Sequence, residues 1–272
     1  DFQSEILSRI YSEGISIIVI DLQDKKVEPI LPHLYNLIFS KIKFVDMHKI
    51  YEDIFDRVPL SLLKYNWFLE NISFASNAGY NLMKRGMDIA ISVFLGIISL
   101  LFYPFAILLI KFDDGGPIFI SQERVGQNNK IVKIYKFRSM SVNDDGIAEK
   151  EKVRKITKAG GFLRKTRIDE LPQIWSILKG DMSLVGPRPE MPTLVKHYEK
   201  EIPYYNIRHL IKPGLSGWAQ LYQRTPPKFD IGSDATKPKL SYDLYYIKNR
   251  SVILDFKIAL KTLKSLLSRS GV

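Results

Sequence analysis

Residues Ile89–Ile110 form an uncharged run of 22, and a proline lies inside it. As one straight helix the run would reach ~33 Å at ~1.5 Å per residue, about the thickness of a bilayer core. Pro104 works against straightness. It has no N–H to donate, and its ring crowds the carbonyl of Leu100. A kink or break is expected there, although spanning helices do tolerate proline. Lys84 and Arg85 precede the run and Lys111 follows it, and positive residues favour the cytoplasmic side. A segment that enters, bends at Tyr103-Pro104 and leaves by the same face satisfies both observations. On these residues alone the re-entrant and simple spanning readings stand level.

Charge is placed unevenly around this run. Residues 1–110 carry 10 Lys+Arg and 12 Asp+Glu, whereas residues 111–272 carry 30 and 17. A basic half implies anionic partners: nucleic acid, a membrane surface or phosphorylated ligands. The chain has no cysteine, which excludes disulfides, thiolate catalysis and cysteine-ligated metal and fits a reducing compartment. His33, His48, His197 and His209 show no zinc spacing. The sequence starts at Asp1 with no signal peptide, so it reads as a fragment of a longer protein and leaves open whether membrane segments lie upstream.

The fold class expected is α/β, in two domains. Residues 1–79 read as a partial Rossmann-like soluble piece. Ile15–Ile20 has the apolar, β-branched character of a buried parallel strand, Ile30–Phe39 has helical spacing, and Lys41–Val45 reads as a second strand. No glycine-rich phosphate loop follows the first strand, so a structural or assembly role is expected. Residues 80–272 read as an α+β, membrane-associated domain. Ile118–Ile120 and Ile131–Phe137 are strands flanking the turn-rich Gly126–Lys130, and residues 141–160 are a polar loop. Ser251–Leu267 is an amphipathic helix, with Val252, Phe256, Ala259, Leu260, Leu263, Leu266 and Leu267 beside a stripe of Lys257, Lys261 and Lys264. It suits either a core helix with a solvated face or a helix lying on an anionic membrane.

Polar chemistry is densest in Gly160–Glu190. Leu171, Ile174, Trp175 and Leu178 form a helical apolar stripe. Asp169 stands at the expected N-cap, Pro172 in the first turn and Gly180 at the C-terminal cap. An arbitrary helix start would explain Asp169 and Glu170 as cap and first-turn acid. The surroundings argue for more. Arg164, Lys165 and Arg167 crowd the segment, and Gly186-Pro-Arg188-Pro brings another arginine. Paired carboxylates among cations suit a phosphorylated ligand with Mg²⁺, and a carboxylate can attack phosphorus to form an acyl phosphate.

The ordered motifs resemble the bacterial sugar transferase family, the monotopic polyprenyl-phosphate phosphoglycosyl transferases. They are Lys84-Arg-Gly-Met-Asp88, Gly115-Gly-Pro-Ile-Phe119, Gln122-Glu-Arg-Val-Gly126, Tyr135-Lys-Phe-Arg-Ser-Met140 and Arg164-Lys-Thr-Arg-Ile-Asp-Glu-Leu-Pro-Gln173. Lys179–Glu190, Lys212–Gln220 and Tyr242–Tyr246 follow in family order, so the likeness covers roughly residues 82–272. Tyr51–Leu60 resembles the end of the soluble domain that long members carry after several transmembrane helices. The resemblance implies Asp169 as nucleophile on the β-phosphorus of a UDP-sugar, releasing UMP, with polyprenyl (undecaprenyl) phosphate then taking the phosphosugar. Glu170 is implied as the partner that helps place Mg²⁺ or activates the acceptor, and Asp169 and Glu170 as the metal ligands. Lys136 and Arg164 are implied as phosphate-binding cations, and Arg188 is a further candidate for that work. The resemblance favours the re-entrant reading of 87–110, broken near Pro104, with membrane lipids as partners. The catalytic domain would lie on the cytoplasmic face of the bacterial inner membrane, initiating exopolysaccharide or glycoconjugate synthesis. A homodimer is compatible with this reading.

Two departures concern Tyr103, where the family commonly has serine, and residues 141–158, which read Glu-Lys-Val-Arg-Lys in place of Asn-Asp-Pro-Arg. Two rivals remain in view. A non-catalytic, membrane-attached nucleotide-sugar sensor would not need an intact Asp169–Glu170 pair. A nucleic-acid binder predicts stacking aromatics or a groove-reading motif, which the sequence lacks, so no nucleic acid is expected.

Overall fold

The computed structural model describes residues 8–22, 24–40, 42–72, 78–141, 156–223 and 233–268. The chain forms two compact units, Asp1–Phe68 and Leu69–Val272. In the first, β1 (Ile17–Ile20) pairs in parallel with β2 (Lys43–Asp46) in the register Ile17↔Lys43 to Ile20↔Asp46. Between them runs α1 (Leu31–Asn36), flanked by 3-10 turns at Glu28–Ile30 and Leu37–Ser40. Helix α2 (Met47–Phe55) follows β2, with the Asp46 carboxylate accepting from the Lys49 N–H at 3.2 Å. Ile10, Ile20, Leu34, Leu37 and Ile42 form the core. The expected buried strand is only half buried, since Ile17 and Val19 face outward at 53% and 47% exposure. A two-stranded sheet offers cover to one face only. A short helix, α3 (Tyr65–Asn71), closes this stretch.

The second unit opens with the apolar run. It forms α4 (Ala78–Leu100) and α5 (Tyr103–Asp114), bent by 53°. Among the described residues no single helix is long and apolar enough to cross a membrane, whereas this bent pair is, by length and composition. The break falls where Pro104 requires it. Helix α4 stops at Leu100, whose carbonyl the proline ring would crowd, and Pro104 occupies the first turn of α5, where a missing N–H costs little. Phe94, Ile97, Leu101, Leu108 and Phe112 point outward, while Asp88, Ser92 and Ser99 are buried.

A β-hairpin of β3 (Phe119–Val125) and β4 (Ile131–Phe137) comes next, antiparallel from Phe119↔Phe137 to Val125↔Ile131. Of the polar loop expected at 141–160, residues 142–155 lie outside the described residues. Its end is already helical in α6 (Lys158–Lys165), capped by Thr157 Oγ1, which accepts from the Gly160 N–H at 3.0 Å. A 3-10 turn at Ile168–Glu170 leads into α7 (Gln173–Lys179), and β5 (Ser183–Val185) follows. Helix α8 (Pro192–Glu201), a 3-10 segment at Tyr205–Leu210, β6 (Gly214–Ser216, parallel to β5), α9 (Trp218–Tyr222), α10 (Ser233–Lys248) and α11 (Val252–Leu267) complete the unit. Beneath the Ile168–Glu170 turn, Ala106, Ile110, Phe137 and Leu163 form a core against which Ile168 and Leu171 pack. The second half of the bent pair is thus the floor under that turn.

Helix α11 departs from the core-helix reading. Of its expected apolar stripe, Phe256, Leu260, Leu263 and Leu266 face outward, joined by Ile253 and all at least 50% exposed, while Val252 and Ala259 are half-buried. Its inward side carries Asp255 and Ile258. The cause is Asp255, whose carboxylate accepts from Lys84 Nζ (2.8 Å), the Tyr80 hydroxyl (2.9 Å) and the Tyr246 hydroxyl (2.7 Å). A carboxylate so bonded cannot turn to solvent without stranding its partners.

Candidate active site

Two carboxylates and three cations meet at the start of α7. Glu170 Oε1 accepts from Lys136 Nζ at 3.0 Å and from Arg188 Nη2 at 2.7 Å, and its Oε2 lies 3.7 Å from Arg167 Nη1. Lys136 arrives from β4 and Arg188 from the loop after β5, so the turn, the hairpin and that loop converge on one side chain. Arg164, in the last turn of α6, is exposed and acts on Asp169 through its charge. All five expected residues, Lys136, Arg164, Asp169, Glu170 and Arg188, therefore belong to one locus.

Local backbone explains how the turn is presented. Arg167 holds the left-handed conformation (φ 60°), uncommon for a residue with a Cβ. It ends the α6 path and starts the 3-10 turn. Asp169 is not the N-cap of α7, as the spacing predicts. It lies inside the 3-10 turn, and Pro172 occupies the cap position with no side-chain bond. A capping carboxylate would be tied to backbone N–H groups, whereas Asp169 is not. Gly180 takes the expected left-handed C-terminal cap (φ 96°). Trp175 leaves the expected stripe and is 59% exposed, its buried place taken by Ile177.

The two carboxylates titrate in opposite directions. Burial pushes Asp169 up, and the Glu170 charge adds to it, bringing its pKa to about 6 against the counter-pull of Lys136, Arg164 and Arg167. Burial would also raise Glu170, but Arg188 and Lys136 outweigh it and hold it well below the ordinary carboxylate range. Burial lowers Lys136, with Glu170 opposing. The Glu170 charge raises Arg188.

Asp169 Oδ1 is buried and has no hydrogen-bond partner among the described residues. Such an atom is costly to bury and rarely left so without a use. A hard oxygen donor of this kind suits Mg²⁺, which keeps waters and accepts phosphate oxygens alongside one or two carboxylates. Asp169 fits that role as it stands. Both Glu170 oxygens already have cation partners, so Glu170 joins such a set only by loosening one of them. Among the described residues no three His, Asp or Glu side chains are grouped so as to hold a metal ion by themselves.

Behind Arg188 stands a buried network that residue spacing does not reveal. Arg208 donates to Glu190 Oε2 (2.6 Å), Asp243 Oδ2 (3.0 Å) and the Arg188 carbonyl (3.0 Å). Glu190 also accepts from the Tyr205 hydroxyl and Lys239. These residues come from three separate stretches of chain, and the Gly-Pro-Arg-Pro-Glu and Tyr242–Tyr246 motifs gave no sign that Arg208 would join them.

Residues 79–269 match the bacterial sugar transferase family. A UDP-N-acetylgalactosamine-undecaprenyl-phosphate N-acetylgalactosaminephosphotransferase of Aeromonas hydrophila is 44% identical over 199 residues, 71% of this chain and 45% of that protein. The exopolysaccharide production protein PSS of Rhizobium leguminosarum bv. phaseoli is 39% identical over 194 residues, 69% of this chain and 96% of that protein. A UDP-glucose:undecaprenyl-phosphate glucose-1-phosphate transferase of Escherichia coli (strain K12) is 37% identical over 187 residues, 66% of this chain and 39% of that protein. The matched part thus spans less than half of the Aeromonas and Escherichia proteins and nearly all of the Rhizobium one. With a matching stretch that includes the hairpin, the Asp169–Glu170 turn and the Arg188 loop, the chain belongs to the bacterial sugar transferase family.

Proposed function

We propose that the protein transfers a phosphosugar from a UDP-sugar to polyprenyl phosphate through a covalent intermediate on Asp169. The observation that carries this is the unpartnered, buried Asp169 oxygen beside a Glu170 neutralised by Lys136 and Arg188. Names among the relatives supply the donor and acceptor classes, UDP-sugar and undecaprenyl phosphate. A carboxylate oxygen attacks the β-phosphorus, the bond from that phosphorus to the bridging oxygen breaks, and UMP leaves with the electron pair. An acceptor phosphate oxygen then attacks the same phosphorus, and Asp169 regains its carboxylate. Splitting one transfer into two is the general gain from a protein nucleophile.

The residues divide the work by charge. Arg188 and Arg164 meet phosphate oxygens, to which guanidinium groups bond in two places at once. Lys136 holds Glu170 and adds positive charge where the diphosphate lies. Glu170 keeps these cations in place and raises the basicity of its neighbour. Mg²⁺, held by Asp169 and by Glu170 if it loosens, would offset charge on the diphosphate. The uncovered apolar faces of α4, α5 and α11 support a re-entrant helix pair at the cytoplasmic face of the inner membrane. There a soluble donor and a greasy acceptor meet.

The test is label transfer and UMP release from a panel of UDP-sugars with polyprenyl phosphate in detergent. The intact protein is expected to turn over at least one donor. Asp169→Asn is expected to lose at least a thousandfold and to trap no phosphosugar. Turnover persisting in that variant overturns the covalent route.

A further inference from the structure

We propose that Asp88 and Asp113, one on each half of the bent helix pair, are positioning residues that set the spacing of the phosphate-binding cations around Asp169. The proposal rests on the reading of Asp169 above.

Asp88 immediately precedes the uncharged run and is 4% exposed. A carboxylate buried there must be hydrogen-bonded or it destabilises the fold. Its Oδ1 accepts from Ser183 Oγ at 3.1 Å and from the Leu184 N–H at 3.0 Å. Both donors belong to β5, the strand that runs directly into the loop bearing Arg188. One helical turn earlier, Arg85 donates to the carbonyls of Ile177 (2.6 Å) and Leu178 (2.7 Å), at the far end of α7. Helix α4 therefore grips the helix that follows Glu170 and the strand that delivers Arg188.

Asp113 sits in the last turn of α5, and its Oδ2 accepts from the Ala159 N–H at 2.8 Å. That N–H opens α6, where the dipole favours a negative charge. The same helix end cannot slide, because Gly160 lies so close to the Ser139 backbone that a Cβ would approach its oxygen to 1.9 Å. From there α6 runs as rigid helix to Arg164. Helix α5 therefore grips the element that delivers Arg164.

Each half of the pair thus holds one arginine. The 53° bend between the halves becomes the angle that fixes Arg164 against Arg188 with the Asp169–Glu170 turn between them. Apolar side chains could pack the same helices, but packing tolerates sliding, whereas a carboxylate bonded to backbone N–H groups specifies one register. Transfer between phosphates is sensitive to shifts of about 1 Å in the groups that orient them.

The absence of cysteine allows a direct measurement. Lys165→Cys on α6, beside Arg164, and Thr193→Cys at the start of α8, just past the Arg188 loop, both exposed, carry spin labels on the full chain in detergent, and their separation is read by pulsed EPR. UMP release is followed across pH in parallel. Asp88→Ala and Asp113→Ala are expected to shift or broaden the distance distribution. They should lower kcat about tenfold or more with donor KM changed less than about threefold. They should also move the acid limb of the pH profile, because the charges facing Asp169 are displaced. Asp88→Asn and Asp113→Asn keep the accepting oxygen and should remain near the parent in all three readouts. Ser183→Ala removes one donor and Asp113→Ser shortens the reach. Each gives a milder change of the same sign and decides the matter should an alanine variant fail to fold.

Parent-like distances, kcat and pH profile in the folded variants overturn the proposal. So does a fall in kcat that only tracks the loss of folded protein. If the parent releases no UMP from any donor, the proposed function fails while the distance measurement still judges the two anchors.

Discussion

Asp169 and Glu170 are adjacent in sequence yet opposite in electrostatic fate. Glu170 faces Lys136 and Arg188 and stays charged at all ordinary pH, while Asp169 is buried with a bare oxygen and titrates at about 6. A nucleophilic carboxylate must be ionised, so kcat/KM for the donor is expected to rise with unit slope up to a limb near pH 6 and then level off. Glu170→Gln removes the charge that helps raise Asp169, so the limb should move to lower pH even as activity falls. The sign for stability runs the other way. A carboxyl whose folded pKa lies above its unfolded 3.8 binds more protons folded than unfolded, so stability falls as pH rises from about 4 to about 6. At neutral pH the cost is about 3 kcal/mol. Asp169→Asn relieves it, and its Tm at pH 7.5 is expected to rise by several degrees while turnover is lost. A Tm below the parent's would show that the carboxylate stabilises the fold. Arg167 was legible as a nearby cation, but its left-handed backbone was not. That conformation falls between the end of α6 and the 3-10 turn, a junction that residue spacing does not locate.

At the scale of elements, the bent pair and α11 show how differently two apolar helices read. Pro104 dictates a break from local stereochemistry alone, and α4 ends at Leu100 as that stereochemistry demands. The orientation of α11 depends on Lys84, Tyr80 and Tyr246, which lie far away or nine residues back. Periodicity shows that a stripe exists but does not show which way it faces. Facing out, the stripe lies beside Lys257, Lys261 and Lys264, an arrangement suited to an anionic lipid surface. Replacing the three lysines with glutamine is expected to weaken binding to vesicles containing phosphatidylglycerol by about 1 kcal/mol per lysine, with less salt dependence. Equal binding to neutral and anionic vesicles by the parent would remove the electrostatic part of that account. Lys257 and Lys261 also cover the Trp218 ring at 5.1 and 5.7 Å, so their loss should quench or shift tryptophan emission, a check that the helix was reached.

Across the whole molecule, positive charge is concentrated after residue 110, in the unit that gathers Lys136, Arg164 and Arg188 around two carboxylates. Chelation of divalent cations is expected to abolish UMP release, and Mg²⁺ to restore it. Unchanged turnover in excess EDTA would remove the metal from the scheme. The order of motifs along the chain and the proline in its apolar run were enough to assign the family, to mark the break and to name five residues that the fold brings together at the candidate site. Those features depend on neighbours within a few residues or on side-chain chemistry that does not change on folding. Tertiary structure alone decided that Glu170, not Asp169, takes the cations, that α11 turns most of its apolar stripe outward, and that Arg208, Asp88 and Asp113 stand behind the groups gathered around Asp169 and Glu170. Each of those outcomes is a hydrogen bond or a burial between residues distant in the chain. Its energy depends on where the backbone has already gone, and no local pattern of residues encodes that.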